Sequence, residues 1–448
     1  FQPMFSEHRQ NLFKVIGSDL AFLKSGVESC KYDSDTDIKF RQESNFFYIT
    51  GCQQSDCYAL LDGQSKQFVL FVPKLGAEHE LWMGRCPSVE EQKAAFKPDQ
   101  LLFSEDLPKF LENLGSRVCH VIRDIPQIPN EDMKSLTLAN DLQALIAELR
   151  VIKDRSEIEA LRKSCTINRN AFHHVMSHLK AGMMEYQAEA LHQFSMLNQG
   201  ARFVSFNAIT AGGANGSTLH FVDNSHPIAD QQTFVLDAGC ELDLSCSDHT
   251  RTFPTSRRFT QKQEELYQIV LRCNKKGIQE AKPGAKWEDV HMACLEELLK
   301  GLREVGIVRQ GDFAEQFALG VPSIFQPHGL GHMLGLNTHD VGGYNATIVK
   351  STDKRLKYLR TRRVLAEGMV VTVEPGLYFI DGFINEAKAN KEVAKHINFE
   401  VLEEYRKECG GYRIEDDIVI TKTGCEVLPG PVKELHEIYQ LRDMAYSK

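Results

Sequence analysis

Asp237, Asp248, His332, Glu374 and Glu415 follow one another through the second half of a 448-residue chain. Each lies in a short, distinctive segment: FVLDAG ending at Gly239, SDHTRTFP from Ser247, HGLGHMLGLNTHD from His328, VTVEPGLY from Val371 and GYRIEDDIVIT from Gly411. Four carboxylates and one imidazole cannot be buried side by side unpaired, because each desolvated charge is costly. Two divalent cations sharing bridging carboxylates would resolve the repulsion and create a hydrolytic centre. Hard oxygen donors with one imidazole favour Mn2+, Co2+ or Fe2+ over a structural zinc, which prefers Cys and His. The expectation is a cocatalytic dimetal hydrolase in which Glu374 shuttles the proton of the attacking water.

The neighbours of these residues add to that chemistry. His328, His332 and His339 crowd one Gly-rich loop. A single histidine is usually a core group satisfied by a carbonyl, but three in one loop suggest one ligand and two groups for substrate or oxyanion. Asp340 is either an orienter of an imidazole or a turn residue. Thr250 can orient a ligand or bound solvent. By strand alternation Arg413, Glu415 and Asp417 share one face, so Arg413 can hydrogen-bond the ligands. Cys240 and Cys246 lie between Asp237 and Asp248 and read first as small packing residues. The sharper alternative is a thiol near the centre that captures a soft metal or oxidises.

Elements must hold these groups in place. TFVLDAG, HTRTFP, MVVTVEPGLY and RIEDDIVIT read as strands carrying or flanking the carboxylates, with Asp237 and Asp248 joined through a hairpin. Helices are expected at SEIEALRKSCTINRNAFHHVMSHL, with Ser156 and Glu159 as its capping box, and at MMEYQAEALHQFSMLNQG, ending at Gly200. Two more are expected at QKQEELYQIVLRCNKKGIQEA and WEDVHMACLEELLKGLREVG. Upstream, Phe46–Gly51, Cys57–Asp62 and Gln67–Pro73 read as consecutive strands, and Asn130–Leu149 as helical. The chain is too long for one ordinary core. A boundary near Leu149–Asp154 divides it into an α/β domain over 1–150 and the ligand-bearing domain over 151–448.

Composition narrows the class. The net charge of −9 argues against nucleic acid or an anionic membrane as partner. No apolar run approaches the roughly 20 residues that cross a bilayer. The start, FQPMFSEHRQ, shows neither a secretory nor a transit pattern, although it lacks an initial Met. Twelve cysteines are scattered without a CxxC pair, which suits a reducing compartment, and a cytoplasmic location is expected.

With the five motifs in this order, the second half resembles the pita-bread metallopeptidases, the fold shared by methionine aminopeptidase, aminopeptidase P and prolidase. The resemblance implies a curved sheet flanked by helices, α/β overall. One metal would be held by Asp237, Asp248 and Glu415, and the second by Asp248, His332, Glu374 and Glu415. The preceding domain points to the proline-specific branch. Longer stretches, among them FRQESNFFYITG from Phe40, LFVPKL from Leu70, LWMG from Leu81, HGLGHMLGLNTHDVGGY through Tyr344 and LRTRRVLAEGMVVTVEPGLYFID from Leu359, are similar to eukaryotic Xaa-Pro dipeptidases.

That resemblance implies hydrolysis of Xaa-Pro dipeptides to free proline by a homodimer. Each subunit would hold two divalent ions, with manganese placed first and cobalt, iron or zinc as alternatives. Glu374, His328 and His339 would be catalytic. His220, Asp248 and His339 would contact the dipeptide, Arg363 would clamp its carboxylate, and Trp82 could reach a neighbour's site. A bidentate arginine reads where a substrate ends. Proline needs its own peptidase because its nitrogen lacks N–H and its ring fixes φ. The departures, Cys240, Cys246 and Glu367, remove no ligand. The alternatives are an Xaa-Pro aminopeptidase acting on longer peptides, side activity on phosphorus esters, and a non-catalytic peptide- or histone-binding module. The last fits poorly with a complete ligand set.

Overall fold

The protein is described from a computed structural model that covers residues 5–122, 135–345 and 347–447. It divides into two compact units, Phe1–Arg150 and Val151–Lys448.

The first unit is built on a six-stranded mixed sheet. Leu20–Lys24 runs antiparallel to Tyr58–Asp62 and parallel to Val118–Val121, while Tyr58–Asp62 is antiparallel to Gln67–Val72. Gln100–Phe103 and Thr137–Ala139 close the edges as parallel neighbours. Phe22, Leu60, Val69, Phe71 and Val121 bury its inner face.

Two expectations fail here. Phe46–Gly51 is not a strand: Ser44–Thr50 is a helix, capped by the Glu43 carboxylate on Phe46 N–H and ended by Gly51 at φ 70°. All seven helical residues are buried, so no polar stripe betrayed the helical period. In the segment expected to be helical over Asn130–Leu149, Thr137–Ala139 pairs as a strand with Val118–His120 and the helix is Leu142–Val151. Residues 130–134 of that segment lie outside the described residues.

The second unit is α/β, with helices packed on small curved sheets. Thr233–Ala238 pairs antiparallel with Ile209–Gly212 and with His249–Pro254, in a register that puts Asp237 opposite Thr250. Val370–Val373, Asp416–Ile420 and Cys425–Val427 form a second sheet, and Gly376–Leu377 with Tyr412–Arg413 a third. A bridge between Thr250 and Glu415 joins the first sheet to the others, and one between Met333 and Val371 ties in the histidine loop.

Four of this unit's helices form where apolar spacing placed them: Arg155–Met176, Glu185–Asn198, Gln261–Glu280 and Trp287–Glu304. The first begins earlier than expected. Asp154, not Ser156, is its cap, accepting from Ser156 N–H at 2.6 Å and Glu157 N–H at 2.9 Å, and the Glu157 side chain completes the box. An aspartate caps at least as well as a serine, and Ser156 spends its hydroxyl on the same carboxylate. Phe172, Leu236, Phe253, Leu266, Val270 and Leu298 make the core between helices and sheet. No helix among the described residues is long and apolar enough to cross a membrane.

Candidate metal centre

Each carboxylate ligand sits at or beside a strand end. Asp237 is the penultimate residue of Thr233–Ala238, Asp248 precedes His249–Pro254, Glu374 follows Val370–Val373, and Glu415 precedes Asp416–Ile420. The pairings Asp237–Thr250 and Thr250–Glu415 set these residues in one row across three neighbouring segments. His332 enters from the loop, which docks through Thr372 N–H to His332 O at 3.0 Å and Glu374 N–H to Leu330 O at 2.8 Å. Gly331 permits that docking, since a Cβ there would lie 2.0 Å from the Thr372 carbonyl oxygen.

The side chains converge. His332 Nε2 lies 3.3 Å from Asp248 Oδ2 and 3.7 Å from Glu374 Oε1. Donor atoms of Asp248, His332 and Glu415 all fall within 4.8 Å of one another. His332 Nδ1 sits 3.0 Å from the Met333 carbonyl, so Nδ1–H donates there and the Nε2 lone pair faces the carboxylates. Thr250 donates its hydroxyl proton to Glu415 Oε2 at 2.7 Å, and Arg413 donates to Asp237 Oδ2 at 2.5 Å and to Thr250 Oγ1 at 3.1 Å. Asp417 Oδ2 accepts the Asp248 backbone N–H at 3.0 Å.

The electrostatics are those of a site short of positive charge. Burial first, then mutual repulsion, pushes Asp248 and Glu415 well above the usual carboxylate range. Burial also pushes up Glu374, and Asp417 up to about 7. Asp237 Oδ1 and Asp248 Oδ1 are buried without any hydrogen-bond partner. Arg413 is one cation for this group. Uncommitted carboxylate oxygens beside a correctly tautomeric imidazole fit divalent cations in both number and donor type.

Around the ligands, His328 donates Nδ1–H to the Gly329 carbonyl at 2.7 Å, and its Nε2 lies 2.9 Å from the Tyr378 hydroxyl. Tyr378 in turn accepts from Arg413 at 2.8 Å, so Arg413, Tyr378 and His328 form one chain beside Glu374. Burial pushes His328 down to about 3, leaving it neutral. His339 stands at the exposed rim, its ring 4.4 Å from that of His332 and perpendicular to it. Desolvation first, with the Arg360 charge adding to it, lowers it to about 3. His220 is exposed. Asp340 forms a buried ion pair with Lys153 at 2.9 Å.

Three features were not read from the sequence. Tyr378 links Arg413 to His328, although the YFID that follows PGL gave no sign of it. Arg360, not singled out among its neighbours, has a charge that acts on Glu374 and His339. Arg363 donates Nε–H to the Gly342 carbonyl. Of the thiols, Cys246 turns to Glu241 and Cys240 to Ser164 and Ser247. The sulfur that reaches the layer beneath the ligands is Cys165, 3.3 Å from Asp417 Oδ2.

Residues 159–422 match metallopeptidase family M24, and residues 5–122 match the aminopeptidase P N-terminal domain. The chain belongs to metallopeptidase family M24. It is 35% identical to a probable Xaa-Pro aminopeptidase of Pyrenophora tritici-repentis, over 94% of this chain and 91% of that one. It is 34% identical to the Xaa-Pro dipeptidase of Rattus norvegicus, over 97% and 92%. Among solved structures, Escherichia coli aminopeptidase P with the inhibitor Pro-Leu superposes with a TM-score of 0.84 at 29% identity, covering 99% of this chain and 98% of that one. The M24 metallopeptidase assignment and the pita-bread architecture therefore stand, and relatives of both the aminopeptidase and the dipeptidase kind resemble this chain to similar degrees.

Proposed function

We propose that this metallopeptidase hydrolyses Xaa-Pro dipeptides and releases free proline, using two divalent cations, manganese first, on Asp237, Asp248, His332, Glu374 and Glu415. The observation that carries the metal assignment is the pair of buried, partnerless oxygens, Asp237 Oδ1 and Asp248 Oδ1, in a site where the Nε2 lone pair of His332 lies 3.3 Å from Asp248 Oδ2. When bound, the cations supply Lewis acidity, polarising the scissile carbonyl and acidifying a water.

The chain's own groups do the rest. Glu374 takes a proton from the attacking water and delivers it to the prolyl nitrogen, which has no hydrogen of its own. Thr250 and Arg413 fix Glu415 and Asp237. Neutral His339 at the rim offers N–H to the substrate carbonyl as charge develops, with His220 beyond it on the peptide. His328 is the other histidine assigned a catalytic part by motif; it lines the site beside Glu374, its ring fixed by the Gly329 carbonyl and Tyr378.

Dipeptide restriction needs a cation for the substrate carboxylate. Arg363 is the residue selected by motif, but Arg360 is the arginine whose charge reaches Glu374 and His339, which favours it for the clamp. The second reading, an Xaa-Pro aminopeptidase, is favoured by the similarity to Escherichia coli aminopeptidase P. Release of the N-terminal glycine, from Gly-Pro to give free proline and from Gly-Pro-Gly to give Pro-Gly, by the Mn2+-loaded protein, its Arg360→Ala and Arg363→Ala variants, and an EDTA-treated control separates these readings. A dipeptidase cleaves Gly-Pro alone, and loss of its clamp raises KM at least tenfold. Equal attack on the tripeptide makes it an aminopeptidase.

A homodimer and a cytoplasmic location belong to the same proposal. The helix Ala77–Met83 supports the first, with Leu81, Trp82 and Met83 exposed by 75%, 77% and 64%. Apolar side chains so exposed are expected to be covered by another surface. The scattered free thiols support the second.

A further inference from the structure

The two ends of the histidine loop are held by different means. His332 is seated directly on the ligand sheet, with Thr372 N–H on its carbonyl at 3.0 Å and its own N–H on Thr372 Oγ1 at 3.1 Å. His339 stands exposed at the rim. An imidazole there contributes to chemistry only if its backbone is fixed by its neighbours.

Both neighbours of His339 are anchored. Thr338 donates its hydroxyl proton to the Ser205 carbonyl at 3.0 Å. On the other side, Asp340 donates its backbone N–H to the Met333 carbonyl at 2.8 Å, and its carboxylate accepts from Lys153 Nζ at 2.9 Å. The side chains of that ion pair are only 2% and 1% exposed. Lys153 is itself a fixed point, because its N–H donates to the Gly368 carbonyl at 2.9 Å and Gly368 N–H to the Ile420 carbonyl at 2.9 Å. The ammonium is thereby referred to the sheet whose strands flank Glu374 and Glu415. Gly335 makes room for it: a Cβ there would lie 2.3 Å from Asp340 Oδ2 and 3.0 Å from Lys153 Cε. A buried ion pair adds little net stability, since desolvation offsets its attraction. What it supplies is direction, through a short, charge-assisted bond.

We infer that Lys153, acting through Asp340, is the positioning residue for His339. The inference rests on the reading of His339 as the group that donates to the substrate carbonyl. Neither Lys153 nor Asp340 is exposed enough to touch a substrate, so the pair works through the backbone of residue 340. That backbone sets the His339 ring, which stands 4.4 Å from the His332 ring at 79° to it. A misplacement of about 1 Å costs about 10²-fold in rate. The cost falls on kcat more than on KM, because the His339 contact strengthens as charge develops.

The test is a double-mutant cycle on the full-length, Mn2+-loaded protein, scored per folded molecule on whichever of Gly-Pro and Gly-Pro-Gly it cleaves. Lys153→Met is expected to lower kcat about tenfold in the wild-type background and less than about twofold in His339→Ala, where no imidazole remains to be positioned. Lys153→Arg, which keeps the charge and a donor, is expected to hold kcat within about threefold of wild type. Equal losses in both backgrounds, or no loss in either, overturn the inference. A His339→Ala protein as active as wild type overturns the reading of His339, and the inference with it. Should Lys153→Met fail to fold, Asp340→Asn, which keeps an acceptor for Lys153, carries the same cycle. Placement is also read without activity, from the His339 ring resonance of the chelator-treated protein, assigned by its absence in His339→Ala. That resonance is expected to shift in Asp340→Asn while that of His173 stays in place, and an unmoved His339 resonance overturns the inference.

Discussion

Asp416 and Asp417 are adjacent, equally buried carboxylates on opposite faces of one strand, and they live in opposite electrostatic worlds. Burial would raise both. Asp416, however, is held by Arg251 at 2.5 Å and Lys433 at 2.5 Å, which bring its carboxyl well below the usual range. On the other face Asp417 is pushed up to about 7, and Glu415 and Asp248 are raised as well. The outer face has its cations built in as side chains. The inner face has more carboxylate than protein cation, the imbalance that the proposed divalent ions would offset. One face therefore serves stability and the other serves chemistry.

The largest effect that tests this division is on the inner face. Glu415→Gln keeps the shape and the Thr250 contact but removes the charge of a proposed metal ligand. The expected loss in kcat/KM on Gly-Pro is about 10³-fold or more, equivalent to about 4 kcal/mol of barrier, with cooperative unfolding retained. Activity within tenfold of wild type at saturating Mn2+ would deny Glu415 its role.

On the outer face the opposite pattern is expected. Asp416→Asn leaves Arg251 and Lys433 buried without their counter-charge, a change that costs about 3–5 kcal/mol. Urea unfolding should show that loss, while activity per folded molecule stays within a few-fold of wild type. A variant that is fully stable but inactive would erase the distinction between the faces.

How much of this was legible differs by the range of the interaction. That the five candidate ligands, Thr250 and Arg413 lie together was legible because strand alternation and short motifs are local. Asp237 beside Thr250 and Glu415 then needs only strands to pair in register. The contact between Cys165 and Asp417 spans 252 residues, and no spacing rule reaches that far. Attention went instead to Cys240 and Cys246, which are nearer in sequence and turned elsewhere. The helix Ser44–Thr50 was read as a strand because complete burial hides periodicity, leaving only β-forming residue types to judge by. Among four arginines in one stretch, only the fold shows which charge reaches the ligands. The helices were legible because each has a solvated face.

A third kind of buried group sharpens the comparison with the smallest effect. His192 is 0% exposed, has its Nε2 2.7 Å from Asn168 Oδ1, and has no hydrogen-bond partner on Nδ1. It is charged on neither face's terms, because burial with no carboxylate beside it lowers its pKa from 6.5 to about 4. Between those values the unfolded chain binds the proton and the folded one does not. Stability should therefore be full above pH 6.5 and fall as pH drops toward 4, by up to about 1.4 kcal/mol per pH unit for this one group. His173 and His291, each lowered to about 4, add slopes of the same sign. His192→Gln, which preserves a donor toward Asn168, should remove one share of that slope while the two stability curves run parallel above pH 6.5. Urea unfolding across this range reads it directly. An unchanged slope would mean that His192 accepts its proton in the folded state, with a carboxylate such as Asp417 as the countercharge, and the neutral region behind the ligand strands would then have to be counted with the inner face.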